Sequence, residues 1–298
     1  MSAPAARPPA TRPNIKSHIM RRRILVNRFI LLLSMLAAVG GLFMLIWILG
    51  DVAMRGASSI NWDFFTQLPT PPGTTDEPSG VANAIVGTLL MTTIATLIAV
   101  PFGVLAGTYL AEFGKESKFG ATARFISDIL VSAPSIVIGV FVYLLLVKPM
   151  GNFSGWAGAV SLAIIMLPVV TRTSEEMLRL VPTEMREAAL ALGAPYWKML
   201  VQVIYRAAKT GMMTGIMLAV ARVAGETAPL LFTSLNSPYW MDSMNEPMAN
   251  LTTDLFNYAM SPYADWQRQA WGIAFLITMS VLVVTIITRL ALHQRSDA

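Results

Sequence analysis

Ala221-Arg222-Val223-Ala224-Gly225-Glu226-Thr227-Ala228-Pro229 sets an arginine and a glutamate inside a stretch, Thr210 to Tyr239, that carries no other charge. An ionisable residue inside bilayer hydrocarbon costs from about 2.5 to more than 10 kcal/mol, so something must compensate it. The two residues are four apart, a spacing that would put them on one helix face. If a span starts near Thr210, Arg222 lies about 18 Å along it, just past the middle of a hydrocarbon core about 30 Å thick. Gly211, Gly215 and Ala219 repeat every four residues, and the two glycines point within about 20° of Arg222. The arginine therefore belongs to the close-packing face, turned to another helix or a cavity and away from lipid.

Outward from that stretch, the chain of 298 residues is 55% hydrophobic and only 13% charged, against roughly 25% charged for a soluble domain. Six windows are long and apolar enough to read as spans: Phe29–Gly50, Val81–Ala111, Ile129–Val147, Gly151–Thr171, Thr210 to about Leu235, and Gln269–Thr288. The expected fold class is an all-α membrane protein with six transmembrane helices. Lys and Arg crowd the tail before Phe29, the Glu112–Arg124 link, the Arg172–Lys209 segment and the end of the chain. Outside segments hold only Arg55, Lys148 and Arg268. That asymmetry predicts both termini in the cytoplasm, and it explains the net charge of +5 better than nucleic-acid binding does.

Residues 1–27, with four prolines among Ala and Arg, read as a disordered basic cytoplasmic tail, leaving 28–298 as the six-helix membrane domain. The first apolar window is longer than a secretory core and reads as a retained anchor. Trp62, Phe64 and Phe65 suit an interfacial aromatic belt, and Pro101 predicts a kink in the second span. Ser132-Ala133-Pro134-Ser135 lies inside the third span, with Asp128 expected at its N-terminal end. Between the fourth and fifth spans, Pro182-Thr183-Glu184 opens a short helix, with Thr183 as a possible cap. Gly193 and Pro195 stop it. Ala188, Leu192, Tyr196 and Trp197 offer an apolar surface there. After the fifth span, Met248, Leu251, Leu255 and Tyr258 recur at helical spacing, which predicts an amphipathic helix at the outer interface. The acidic residues of the outside segments, Asp254 among them, read as a solvated rim.

Two readings of Arg222 and Glu226 stay open on these residues. They could neutralise each other and lock the bundle. Alternatively, the guanidinium fork could meet a passing oxyanion, with Glu226 orienting it and easing release. No histidine lies within a span, and no Gly-x4-Gly-Lys-Ser/Thr phosphate loop occurs, so no nucleotide hydrolysis is expected of the chain itself.

Glu187-Ala188-Ala189, three residues and then Gly193 resembles the EAA loop of ABC-importer permeases, supported by Leu167-Pro168, Thr171-Arg172-Thr173 and Leu180-Val181-Pro182. Where that family usually carries Ile-x-Leu-Pro, this chain has Val203-Ile204-Tyr205-Arg206, without the proline. Asn83-Ala84-Ile85-Val86-Gly87-Thr88, Ala133–Gly139, Arg222–Thr233 and Pro247-Met248-Ala249 are similar to the permeases of phosphate ABC importers, over about residue 28 to the end. The resemblance implies the type I importer (MetI-like) permease fold and transport instead of catalysis. It implies a coupling helix near 183–193, in which Glu184, Glu187, Ala188, Ala189 and Gly193 engage an ATPase. It also implies that Arg222 and Glu226 bind phosphate in passage, with neither metal nor cofactor. ATP would be bound by the partner ATPase. The implied partners are a second permease, PstC, a dimer of the ATPase PstB, and the external phosphate-binding protein PstS. The rival expectations are a permease for another oxyanion, and an ATPase-independent anion channel or carrier.

Overall fold

The computed structural model describes residues 17–74 and 77–293, and all regular structure among them is helical. Helix α1, Ser17–Ala57, is one uninterrupted helix. It takes in residues 17–27, which the sequence assigns to the tail; residues 1–16 of that tail lie outside the described residues. Its apolar stretch is long enough to cross a membrane; it holds no proline, and the Gly40-Gly41 pair does not interrupt it. From Val52 onward the chain forms a separate compact unit, which holds everything that follows.

Within that unit, the short α2 (Trp62–Thr66) is capped by Asn61, whose side chain accepts from the Phe64 amide. Phe64 is buried, so of the three expected belt aromatics one is core instead, while Trp62 is 80% exposed. Helix α3 (Ala82–Glu112) runs through Pro101 without ending. A short link then leads to α4 (Lys118–Ser132), capped by Ser117, and α5 (Ser135–Val142). A π turn at Tyr143–Val147 and the brief α6 (Lys148–Met150) finish that segment. The expected third span is therefore broken: α4 and the helical run Ser135–Met150 meet at 103°. The reason is local, because the residue before Pro134 is driven out of the α region. Ala133 has ψ 134°. Asp128, expected at a helix start, instead lies well inside α4.

Helix α7 (Gly155–Arg179) packs along α3 over most of its length. Hydrophobic burial does little to pair helices in lipid, so close approach of small residues must do it. A Cβ on Gly107 would stand 2.5 Å from the Thr171 carbonyl oxygen, and one on Gly103 would meet the Val170 side chain at 2.8 Å. Around this seam lie Met91, Ala95 and Ala99 of α3 and Leu162, Met166 and Val170 of α7, all buried.

Then come α8 (Thr183–Ala191), α9 (Tyr196–Met199), a second π turn at Leu200–Ile204 and α10 (Tyr205–Ala224). The π turn leads into α10 without an interruption, and Arg206, which stands where the family carries its proline, lies in the first turn of α10. The predicted small-residue face of α10 is real: Gly211 abuts Met177 and Gly215 abuts Thr173, both on α7.

The stretch expected as the fifth span, Thr210 to Leu235, is not one helix. It divides after Ala224 into α10 and the four-residue α11 (Ala228–Leu231). Helix α12 (Leu251–Ala259) and α13 (Ala264–His293) complete the chain. Among the described residues four helices are long and apolar enough to cross a membrane, or five if the bent pair is one span. Helix α12 reaches the surface only at its second half, where Phe256 and Ala259 are exposed; its first turn, Leu251, Thr252, Thr253 and Asp254, is buried together with Tyr258, so the polar side predicted to face outward is inside. Asp254, expected on a solvated rim, is 1% exposed.

Candidate functional site: the Arg222 break and the α8–α9 face

Helix α10 ends at Ala224 because Gly225 carries no side chain to hold the helical path, and Pro229 two residues into α11 cannot donate a helix bond. The last carbonyls of a helix lack intrahelical partners. Here the Gly225 amide donates to the Arg222 carbonyl at 3.1 Å and the Glu226 amide to the Val223 carbonyl at 3.1 Å. The Glu226 carbonyl in turn accepts from the Thr252 hydroxyl at 2.7 Å.

Arg222 thus sits in the last turn of α10, and Glu226 lies beyond its cap. The shared helix face expected from their spacing does not exist. Among the described residues neither side chain forms a hydrogen bond or an ion pair. Arg222 is exposed and Glu226 half-buried. The mutual neutralisation of the structural reading is absent, since Glu226 has left the helix that would bring it alongside. Arg222 instead lines a cavity of about 240 Å³. Its other walls are the Ala133-Pro134-Ser135 break of α4 and α5, together with Ile165 and Val169 of α7. The α4–α5 break and the last turn of α10 therefore share one cavity, and Arg222 is the charged residue among those that line it.

A second charged region escaped the sequence reading. Arg124 donates to Glu175 at 2.7 Å, and Arg179 pairs with the same carboxylate at 2.6 Å. Arg172 bridges Asp128 at 3.1 Å and Glu176 at 3.0 Å. Arg124 also donates to the Leu110 and Gly114 carbonyls, at 3.0 Å each, which ties α4 to the end of α3. The Arg172–Glu176 and Glu175–Arg179 pairs have the i,i+4 spacing that a helix reading could have found. The cross-helix partners Arg124 and Asp128 carry no such signal.

The predicted coupling helix is α8, and its bounds follow the sequence reading closely. Pro182, not Thr183, occupies its cap position, and no side chain caps it. Gly193 stops it in the left-handed region, at φ +79°. Arg186 anchors it: the guanidinium donates to Glu112 at 2.8 Å and to the Leu178 carbonyl at 2.8 Å. Tyr196 donates its hydroxyl to the other Glu112 oxygen at 3.0 Å. That anchoring leaves the opposite face bare. Glu184, Glu187, Ala188 and Gly193 are exposed, Ala189 is half-buried, and Leu192 and Trp197 are 89% and 65% exposed.

The sequence profile of the binding-protein-dependent transport system inner membrane components matches residues 99–295. Solved structures agree in fold. One is the MetNI methionine ABC transporter in its inward-facing conformation, with a TM-score of 0.62, 18% identity, and coverage of 72% of this chain and 95% of that one. A second is a bacterial ABC transporter that imports the acidic polysaccharide alginate, with a TM-score of 0.61, 13% identity, and coverage of 92% and 99%. The architecture is that of an ABC-importer permease. In sequence, the chain is 49% identical over 90% of its length to the phosphate transport system permease protein PstA of Yersinia pestis, covering 90% of that protein. It is also 49% identical to the PstA of Haemophilus influenzae, over 90% of this chain and 94% of that one. The chain belongs to the inner membrane components of binding-protein-dependent transport and, within them, to the PstA permeases. It is a transport component, not an enzyme.

Proposed function

We propose that the chain is the permease subunit of an ATP-driven importer of inorganic phosphate, with Arg222 and Glu226 on the anion path. The observation that carries this is the unpaired guanidinium of Arg222 at a cavity of about 240 Å³ beside two helix breaks. A cation left without a counter-ion in such a place is poised for a mobile anion, and guanidinium matches phosphate bidentately. Six crossings with both termini cytoplasmic, at the inner membrane, complete the arrangement. Glu184, Glu187 and Ala188 on the bare α8 face and Gly193 just past its end engage the ATPase, together with Ala189, which packs partly against the subunit.

In this reading ATP is bound by a PstB dimer, PstC supplies the second half of the pathway, and PstS delivers phosphate from outside. One arginine per chain is a thin site for a multiply charged anion, which favours a partner chain contributing more charge. The protein's residues then act by holding and releasing the anion, while ATP-driven movement of α8 alternates the access of the Arg222 level. The test is uptake of labelled phosphate by vesicles carrying the reconstituted complex, with and without the ATPase. ATP-dependent uptake is expected. Uptake that continues at full rate without the ATPase would point to a channel or carrier and sink the proposal.

A further inference from the structure

The turn that opens α12 is polar and yet wholly inside the protein. Asn250 and Asp254 are 1% exposed, Thr252 4% and Thr253 0%. Burying a hydroxyl or amide is costly unless its hydrogen bonds are met, so each partner indicates what this turn is fastened to. The Asn250 carboxamide oxygen caps α12 by accepting from the Thr253 amide at 2.9 Å, and its nitrogen donates to the Ser234 hydroxyl at 3.3 Å. The Leu251 amide donates to the Thr88 hydroxyl of α3 at 2.9 Å. Thr252 lies 2.7 Å from the Glu226 carbonyl and 2.9 Å from the Asn250 oxygen. Its hydroxyl has one proton to give. The Asn250 oxygen is already served by Thr253, whereas the Glu226 carbonyl follows a helix end and has no other donor. The proton therefore belongs to Glu226.

We propose that Thr252 is a positioning residue for the anion path: its buried hydroxyl holds the Glu226 peptide and so sets the direction in which the chain leaves Arg222. Through Leu251 and Thr88 the same turn is fixed to α3, which makes α12, α3 and the Gly225 break one mechanical unit. Movement of α12 then reaches the Glu226 peptide, and through it the chain leaving Arg222, by way of the Thr252 hydroxyl. This inference rests on the reading of Arg222 as an anion-path residue.

The test uses the complete importer in vesicles and two measurements. The chain has no cysteine, so Gly225→Cys makes a unique maleimide reporter within it. A Cβ there would meet only the Arg222 carbonyl oxygen, at 3.6 Å. In that background Thr252→Val should change the labelling rate about three- to tenfold, the range that loss of one neutral hydrogen bond spans. In the otherwise unaltered chain, Thr252→Val should raise the phosphate concentration for half-maximal uptake by a similar factor. Thr252→Ser, which keeps the hydroxyl, should return both readouts close to the parent. If Thr252→Val does not assemble, Thr252→Ala takes its place in both arms. Labelling equal to the parent overturns the strut, and altered labelling with unchanged half-saturation overturns its link to the anion path. The labelling arm needs no substrate, so it still decides the strut if the parent importer moves no phosphate, an outcome that would count against the functional reading instead.

Discussion

Around the end of α7 the guanidinium groups of Arg124, Arg172, Arg179 and Arg186 all face carboxylates, and Glu175 and Glu112 are nearly buried in doing so. In the Gly225 break, Arg222 and Glu226 have no such partners. The two regions use the same residue types for opposite ends. Where charges are paired and their remaining donors find carbonyls, as Arg124 and Arg186 do, they fasten helices together. They are then unavailable to anything that passes. Where backbone interruption separates a pair that the sequence places four residues apart, the cation remains available. A break is a cheap way to keep it so, since one glycine and one proline suffice.

The contrast can be broken most severely at Arg222. Arg222→Gln should abolish phosphate uptake while the complex assembles normally, because the lost guanidinium holds no helix; uptake at the parent rate would make Arg222 mere packing. Next in size is Arg186→Ala. It strands the nearly buried Glu112 carboxylate, and removing one partner of a buried pair costs about 3–5 kcal/mol. Thermal unfolding of the purified subunit should show a marked drop, unlike Arg222→Gln, which should leave the midpoint almost unchanged. Equal losses in the two variants would erase the distinction between fastening and free charges.

Leu192→Asp addresses the bare face of α8, where the side chain is 89% exposed and supports nothing inside the subunit. It should weaken association with the ATPase about tenfold or more, as removal of a central apolar contact does, without altering the thermal midpoint. Co-purification against a titration of ATPase would measure it. Unaltered association would mean that α8 is not the docking helix.

Asp254 gives the smallest expected effect. Helix α12 lies outside the spanning segments, and burial pushes this carboxyl from the usual 3.8 up to about 7, with the Asn236 amide pulling partly the other way. Because the folded state holds the proton more tightly, its contribution to stability is complete below the unfolded value and is lost as pH rises to and through about 7. Asp254→Asn should therefore flatten the decline of stability between pH 4 and 7. Above that window it should be more stable than the parent by about 1 kcal/mol, since a neutral amide avoids the buried charge but remains a buried polar group. Thermal midpoints across pH would show an unflattened slope if Asp254 is not the responsible group.

Much of the fold was legible in the chain itself. Hydrophobic windows mark the membrane class, and the close-packing face of α10 shows in Gly211 and Gly215, because a helix repeats its faces at a fixed interval. The bounds of α8 follow from Pro182 and Gly193, whose effects on backbone are local. Other features depend on residues far apart and leave no trace in any one stretch. The pairing of Arg124 with Glu175 is one, and the burial of Asp254 under an apparently amphipathic pattern is another. The Gly225 break is intermediate, for Gly225 and Pro229 were visible, but an apolar run with no charge besides Arg222 and Glu226 still read as a single span.

What the sequence determined alone is therefore the membrane-embedded helical permease, the short helix that became α8, and the presence of one arginine where a charge is costly. Whether that arginine is neutralised was decided only by tertiary structure. Its nearest carboxylate in sequence is carried off by a backbone turn, and the Glu226 carbonyl in that turn accepts from Thr252, 26 residues further along the chain. Helical spacing predicts neighbours only as long as the helix continues; here Gly225 and Pro229 end it locally, and a hydrogen bond from a distant segment meets the chain that leaves it.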